Sequence, residues 1–162
     1  MSVNFFQNNC QNNTTDTSFG LCDDENGTPA FIDSENKNQW IGVVENNKAI
    51  EIIFTAIDNC IPILRDDGNM DNRCDGMLTY TDNIVFVELK NQRKNWITDA
   101  VNQIETTIKH FIANHDLSNY RHKRAFVANK KHPQFNFAIH EKSQIFYSQY
   151  KVRLNISVTI KI

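Results

Sequence analysis

Three side chains suited to phosphate chemistry lie within residues 74–90 of this chain, CDGMLTYTDNIVFVELK. Residues two apart in a strand point to the same face, so a strand ending in ELK presents Glu88 and Lys90 together, beside Asp75 on the neighbouring strand. Two carboxylates suit a hard cation such as Mg²⁺ or Mn²⁺. A nearby ammonium group can stabilise developing negative charge. The pattern predicts a metal site with a cation beside it; an ordinary solvent-exposed hairpin is the alternative.

The surrounding sequence predicts the elements that position these residues. A hairpin is expected over residues 77–89, turned by Asp82 and Asn83, and its second half, IVFVEL, is typical of a central strand covered on both faces. Apolar residues at helical spacing predict a helix over residues 96–114. Residues 123–128 are expected to form the next strand, parallel to the second hairpin strand after a right-handed crossover.

A second helix is predicted before the hairpin, near residues 48–60. Asn47 is a plausible N-cap, and apolar residues recur from there at helical spacing. Glu51 falls on the polar side of this expected helix. A short strand over residues 61–64 and a loop follow.

These motifs resemble the PD-(D/E)xK nuclease superfamily over residues 48–129. Asp75 matches the aspartate at a strand end, although Cys74 stands where many members have proline. Residues 88–90 match the (D/E)xK element, and Glu51 matches the glutamate on a preceding helix. The placement of that glutamate is most similar to the archaeal Holliday-junction resolvases.

The resemblance implies an α/β fold with a restriction-endonuclease-like αβββαβ core, in which helices flank a central mixed sheet. It also implies metal-dependent hydrolysis of phosphodiester bonds in DNA. Asp75 and Glu88 would bind Mg²⁺ or Mn²⁺, with the Leu89 carbonyl completing the shell. Lys90 would activate or position water, and Glu51 would assist.

For two supporting residues, Glu51 and Gln103, the sequence leaves a second interpretation open. Glu51 is equally consistent with a solvated helix face, and Glu45 replaces it if the register differs. Gln103 lies off the apolar stripe of the helix over residues 96–114. The resemblance suggests that Gln103 supports the metal site, whereas an exposed helical glutamine is the other possibility. Thr107 stands where helicase-associated members carry tyrosine, which disfavours that branch.

Charge is divided unevenly along the chain. Residues 1–89 contain 4 Lys and Arg against 15 Asp and Glu, whereas residues 90–162 contain 13 against 4. The basic half predicts contacts with nucleic-acid phosphates, although the two halves could instead offset each other. The strongest candidates for substrate binding are Arg93, Lys94, Lys130 and Lys131, with a further cluster at Arg121, Lys123 and Arg124.

Four cysteines, at positions 10, 22, 60 and 74, show no CxxC spacing. Neither a structural zinc site nor a disulfide framework is therefore predicted, and free thiols in the cytoplasm are expected. No segment is long and apolar enough to predict a membrane partner. The five histidines show no metal-binding spacing.

The remaining predictions concern the ends of the chain. Residues 1–30 are expected to be a docked polar arm, and residues 31–162 a single nuclease-like domain that begins with a hairpin made by PAFID and QWIGVV. Residues 152–162 alternate strictly and predict one strand. Some aromatic residues are candidates for stacking on bases, although core packing is more usual at these spacings: Trp96, Phe135, Phe137, Phe146, Tyr147 and Tyr150.

Three functional alternatives remain open at this level. DNA cleavage by a homodimer is preferred, because one site of this type cuts one strand and a two-fold pair cuts both. A degenerate nuclease fold that only binds, in an immunity or assembly role, is a second. A nuclease acting on RNA is the third.

Overall fold

A computed structural model describes residues 2–132 and 140–162 of the protein. The described residues form ten strands and two α-helices. The strands are β1 Gln11–Thr14, β2 Ser18–Cys22, β3 Phe31–Asp33, β4 Gly42–Glu45, β5 Ile52–Ala56, β6 Gly76–Tyr80, β7 Asn83–Lys90, β8 His122–Asn129, β9 Arg153–Ile156 and β10 Thr159–Lys161. The helices are α1 Trp96–Asn114 and α2 His140–Tyr150.

The strands form two mixed sheets. The larger has the order β1-β5-β6-β7-β8-β9 and the smaller the order β10-β4-β2-β3. In the larger sheet β7, β8 and β9 are parallel, while the other neighbours are antiparallel. In the smaller sheet only β10 and β4 are parallel. The predicted mixed α/β class is therefore confirmed.

Strand β7 divides the protein core into two layers. Ile84 and Phe86 belong to the cluster that includes Ile108 of α1. Val85 and Val87 point to the other face and pack in a second cluster with the smaller sheet. This alternation explains the uninterrupted apolar run, because both faces of the strand are covered.

The central predictions are confirmed with one adjustment. Helix α1 begins and ends where the apolar spacing placed it, and β8 pairs with β7 in parallel. The hairpin turn lies one residue earlier than predicted, because Tyr80 pairs with Asn83 and leaves Thr81 and Asp82 in the turn. Thr81 has a positive φ of 50°. The turn thus uses a left-handed conformation, which suits a two-residue hairpin.

The predicted helix near residues 48–60 is wrong. Strand β5 occupies Ile52–Ala56. The buried Asn46, not Asn47, organises the start of this segment: its amide donates to the Ile50 carbonyl at 2.8 Å and its side-chain oxygen accepts from the Ile50 N–H at 3.1 Å. These two hydrogen bonds close a tight loop that leads into β5. The first helix of the predicted αβββαβ order is therefore absent, because β5 forms in its place.

The predictions for the first 45 residues are also wrong in detail. PAFID and QWIGVV contain β3 and β4, but both strands pair with β2 and not with each other. The described residues among the first thirty do more than cover the domain. They supply β1 to the edge of the larger sheet and β2 to the interior of the smaller one.

Two further strand predictions fail. Residues 152–162 form two strands in different sheets, β9 beside β8 and β10 beside β4. Ser157 breaks the run, because its hydroxyl donates to the Thr159 carbonyl and accepts from the Thr159 N–H. Residues 61–64 form no strand beyond an isolated bridge between Leu64 and Met70.

A disulfide joins Cys10 to Cys60. The prediction of four free thiols is therefore wrong for this pair, while Cys22 and Cys74 are free and buried. The pairing had no spacing signal, because it depends on β1 lying beside β5, which brings two distant segments together. Among the described residues, no helix is long and apolar enough to cross a membrane.

Candidate active site

Asp75 and Glu88 face each other at one end of the β6–β7 hairpin. Gly76 pairs with Val87, so Asp75, one residue before β6, lies level with Glu88. The Asp75 N–H donates to Glu88 Oε1 at 3.1 Å, and the Leu89 N–H donates to Asp75 Oδ2 at 2.7 Å. Asp75 is 6% exposed and Glu88 is 2% exposed. The structure thus holds two carboxylates together in a nearly dry environment.

Burial makes both carboxylates of this pair unusually basic. Burial raises the pKa of Asp75 well above its ordinary value, and the charge of Glu88 raises it further. Burial raises the pKa of Glu88 to about 7, against an opposing effect of Lys90. When two buried carboxylates are in contact, their repulsion disfavours the state in which both are ionised. A bound cation would stabilise the state in which both carboxylates are ionised.

Lys90 and Gln103 extend the pair into a connected polar chain. The Lys90 ammonium lies 3.1 Å from Glu88 Oε2 and donates to Gln103 Oε1 at 2.8 Å. Gln103 also donates to the Arg73 carbonyl at 3.5 Å. Helix α1 therefore orients Lys90 through Gln103. The glutamine predicted to support the site is placed beside it.

A second residue of α1 holds the segment that carries Asp75. The buried Thr107 hydroxyl accepts from the Cys74 N–H at 2.7 Å and donates to the Gln103 carbonyl at 2.8 Å. The sequence presents Thr107 only as a departure from a family pattern and does not predict this contact. The contact becomes visible only when α1 packs across the hairpin.

The donor set fits a divalent metal with few protein ligands. Asp75 and Glu88 provide hard carboxylate oxygens, and the Leu89 N–H donates to Asp75. Within residues 2–132 and 140–162, no group of three or more Asp, Glu, His or Cys side chains could hold a metal ion. Mg²⁺ commonly retains several waters and uses one or two carboxylates plus substrate phosphate. The two carboxylates therefore fit Mg²⁺ or Mn²⁺ as a partial shell.

Glu51 is not brought to this site. It is exposed, precedes β5, and accepts a bond from Asn13 at 3.5 Å. The β5–β6 register places it at the Thr79–Tyr80 end of β6, whereas Asp75 lies at the other end. The substitute Glu45 pairs with Lys161 in the smaller sheet. Neither glutamate lies level with Asp75, because β5 replaces the expected helix.

Asp23 is a nearby acidic residue that sequence reasoning missed. It follows β2 and is partly exposed, and its charge contributes to the raised pKa of Asp75. Its position depends on β2 lying inside the smaller sheet, which the sequence did not predict. Arg73, next to Cys74, forms an ion pair with Asp58 at 2.9 Å.

The basic candidates for substrate binding split into two groups. Arg93 and Lys94 are exposed in the loop between β7 and α1. Lys130 and Lys131 follow β8, and the Lys130 N–H donates to the Lys90 carbonyl at 2.9 Å. These four residues share the end of the sheet that holds Asp75 and Glu88. The Lys130 ammonium, however, bonds to the Asn38 carbonyl on the side of the smaller sheet.

The second basic group lies at the other end. Arg121 precedes β8 and Lys123 and Arg124 lie in its first residues, while Lys90 is level with Asn129 at the last. Among the described residues, these two basic groups therefore lie at opposite ends of the sheet and do not form one continuous groove. Of the aromatic candidates for base stacking, Trp96 and Phe146 are buried in the core and Tyr147 is exposed, while Phe135 and Phe137 lie outside the described residues.

Comparisons with protein-family models, curated proteins and solved structures find no match to this chain.

Proposed function

We propose that this protein is a metal-dependent nuclease that hydrolyses phosphodiester bonds in DNA. The observation that carries the proposal is the buried Asp75–Glu88 pair with the Lys90 ammonium 3.1 Å from Glu88. The element order β5-β6-β7-α1-β8 supports a restriction-endonuclease-like core. The basic residues at the same end of the sheet suit a phosphate-bearing substrate.

The roles follow from the contacts. Asp75 and Glu88 would hold Mg²⁺ or Mn²⁺, and the family resemblance adds the Leu89 carbonyl as a third candidate ligand. A bound ion of this type lowers the pKa of water and offsets phosphoryl charge. Lys90 donates toward the negative charge that develops at phosphorus or orients the attacking water. Gln103 is a positioning residue, because it touches Lys90 and not the carboxylates.

Cleavage assays with isosteric variants test the proposal. Purified protein is incubated with supercoiled plasmid, branched DNA and single-stranded RNA, with Mg²⁺, Mn²⁺ or EDTA. We expect DNA cleavage that requires metal and is lost in Asp75→Asn and in Glu88→Gln. Glu141→Gln removes an exposed carboxylate from α2 and should cut at the wild-type rate. DNA cleavage in EDTA, or unchanged rates in both site variants, would contradict the assignment.

One observation favours a second candidate, a degenerate nuclease fold that binds without cutting. The expected third carboxylate, Glu51, is at the wrong end of the sheet. Calorimetric titration with Mn²⁺ separates the two functions. Binding that disappears in Glu88→Gln supports the nuclease, whereas no binding by the wild-type protein supports the degenerate fold. Preferential cleavage of RNA in the assay above would identify the substrate as RNA.

A further inference from the structure

A second basic surface lies at the end of the large sheet away from Asp75 and Glu88. It is a groove of about 770 Å³ between the start of β7 and β8, the end of the smaller sheet, and α2. We call it the distal groove. Its seven cationic residues are Lys48, Arg121, Lys123, Arg124, Lys151, Arg153 and Lys161.

Two of these cations are held in place from inside the protein. Arg124 donates from Nη2 to the Tyr80 hydroxyl at 2.7 Å, and its guanidinium lies 5.3 Å from the centre of the Phe126 ring. Lys123 donates to the Tyr120 carbonyl at 2.8 Å. Both side chains are only partly exposed. A cation fixed before binding loses less conformational entropy when it contacts an anion.

The distal groove has many more cationic than anionic side chains in its lining, although Lys161 has Glu45 as its partner on the neighbouring strand. Among the described residues, Asp82 is the one carboxylate side chain in its lining. None of the seven cations forms an ion pair with another residue in the described parts of the chain. The chain carries a net charge of −2, so this clustering is not a consequence of overall composition. Like charges gathered in one concavity raise the local concentration of polyanions.

The groove also presents an aromatic surface. Tyr147 of α2 is 45% exposed, and both Lys151 and Arg153 lie 5.5 Å from its ring centre. A positively charged groove with exposed aromatic rings is the combination that binds single nucleic-acid strands, because the cations follow the phosphates and the rings stack on bases.

The distal groove is separate from the proposed metal site. Strand β7 advances about 3.3 Å per residue, so Asn83 in the groove and Glu88 lie about 16 Å apart along it. Asn83 and Arg124 also lie on the opposite side of the sheet from Glu88, although Lys123 lies on the same side. Arg124 alternates with Ala125, which packs on the α1 side, whereas Glu88 shares the face of Phe86 toward α1.

We propose that the distal groove binds the phosphate backbone of a nucleic-acid strand independently of the metal site. This inference rests on the proposed function only for the identity of the substrate. It adds to that function a second binding surface for the substrate, remote from the bond that is cut. The bound segment is a different part of the substrate from the one at Asp75 and Glu88.

Anisotropy with a labelled 20-nucleotide single strand tests the groove. The Glu88→Gln protein is used in EDTA, so neither cleavage nor metal contributes. On that background, Arg121→Ala, Lys151→Ala and Arg153→Ala are combined. All three residues are exposed, which limits damage to the fold. The matched control combines Lys37→Ala, Lys109→Ala and Lys142→Ala, which removes the same charge from exposed positions outside the groove.

The groove variant should bind at least tenfold more weakly, and the slope of log affinity against log salt should fall by about two units, because each of the three cations contributes about 0.7 through its single-strand phosphate. The control should change less than twofold. Equal weakening in both variants, or none in the groove variant, would overturn the proposal. So would displacement of the strand by pyrophosphate at equal affinity, since that indicates a site for small anions.

The two proposals can fail separately. If the wild-type protein cuts DNA, and the three groove substitutions change neither binding nor cutting when Glu88 is retained, the distal groove is wrong and the nuclease stands. If no substrate is cut with any metal but the groove variant no longer binds the strand, the nuclease is wrong and the distal groove stands.

Discussion

Raising the pH should destabilise the metal-free protein, because Glu88 must ionise in a buried site. Its pKa is raised from 4.5 to about 7, mainly by burial. The folded state therefore binds this proton more tightly than the unfolded state. The resulting stabilisation is fully present below pH 4.5 and is lost as the pH rises through 7.

The size of the effect follows from the same two values. A tenfold change in proton affinity corresponds to about 1.4 kcal/mol. Between pH 5 and pH 8, the free energy of unfolding should fall by roughly 2.5 kcal/mol through Glu88 alone. Glu88→Gln removes this ionisable group and should abolish the loss; it also removes the charge that helps to raise the pKa of Asp75, which acts in the same direction. His115 contributes the opposite slope, because burial lowers its pKa.

Urea unfolding in EDTA at pH 5, 6, 7 and 8 measures this difference. For each protein we measure how far the free energy of unfolding falls over this pH range. Subtracting the value for Glu88→Gln from that for the wild type cancels the contribution of His115. Glu141→Gln should behave as the wild type. At pH 8, added Mg²⁺ should raise the wild-type melting temperature but not that of Glu88→Gln. Identical pH profiles for the wild type and Glu88→Gln would refute the reasoning about burial.

Three further predictions are independent of this one. Lys90→Ala should slow cleavage by on the order of 10² to 10³ while calorimetry still detects metal binding; an abolished metal affinity would count against its role. Cys10→Ser should lower the free energy of unfolding by about 4 kcal/mol under oxidising conditions, because the disulfide closes a loop across 50 residues of sequence separation; equal urea midpoints would show that the bond does not constrain the unfolded chain. Light scattering should give twice the monomer mass of 18.8 kDa; a monomer that still cuts both strands would exclude the homodimer.

The centre of the fold was predictable because its signals are local. The apolar run of β7 and the helical spacing of α1 each identify one element without reference to the rest. The grouping of Asp75, Glu88 and Lys90 follows from the hairpin, whereas a place for Gln103 beside them was suggested by the family resemblance. The site was therefore accessible from sequence to the extent that neighbouring elements form it.

The rest depends on long-range pairing. Ile50, Ile53, Phe54 and Ile57 match a helix, but Asn46 closes a loop and β5 finds partners in β1 and β6. A short apolar run does not distinguish helix from strand by periodicity alone. The Cys10–Cys60 pair and the distal groove likewise exist only after distant segments meet.

The crossing of residues 153–161 from one sheet to the other affects how the chain can fold. Val43 pairs with Thr159, so the smaller sheet joins strands far apart in sequence. Forming such contacts requires closing a long loop, which slows folding. During synthesis, β2, β3 and β4 can pair early, but one edge of β4 stays open until β10 leaves the ribosome. Shortening the chain before residue 159 would leave this edge available for pairing with other chains, so truncated products should aggregate.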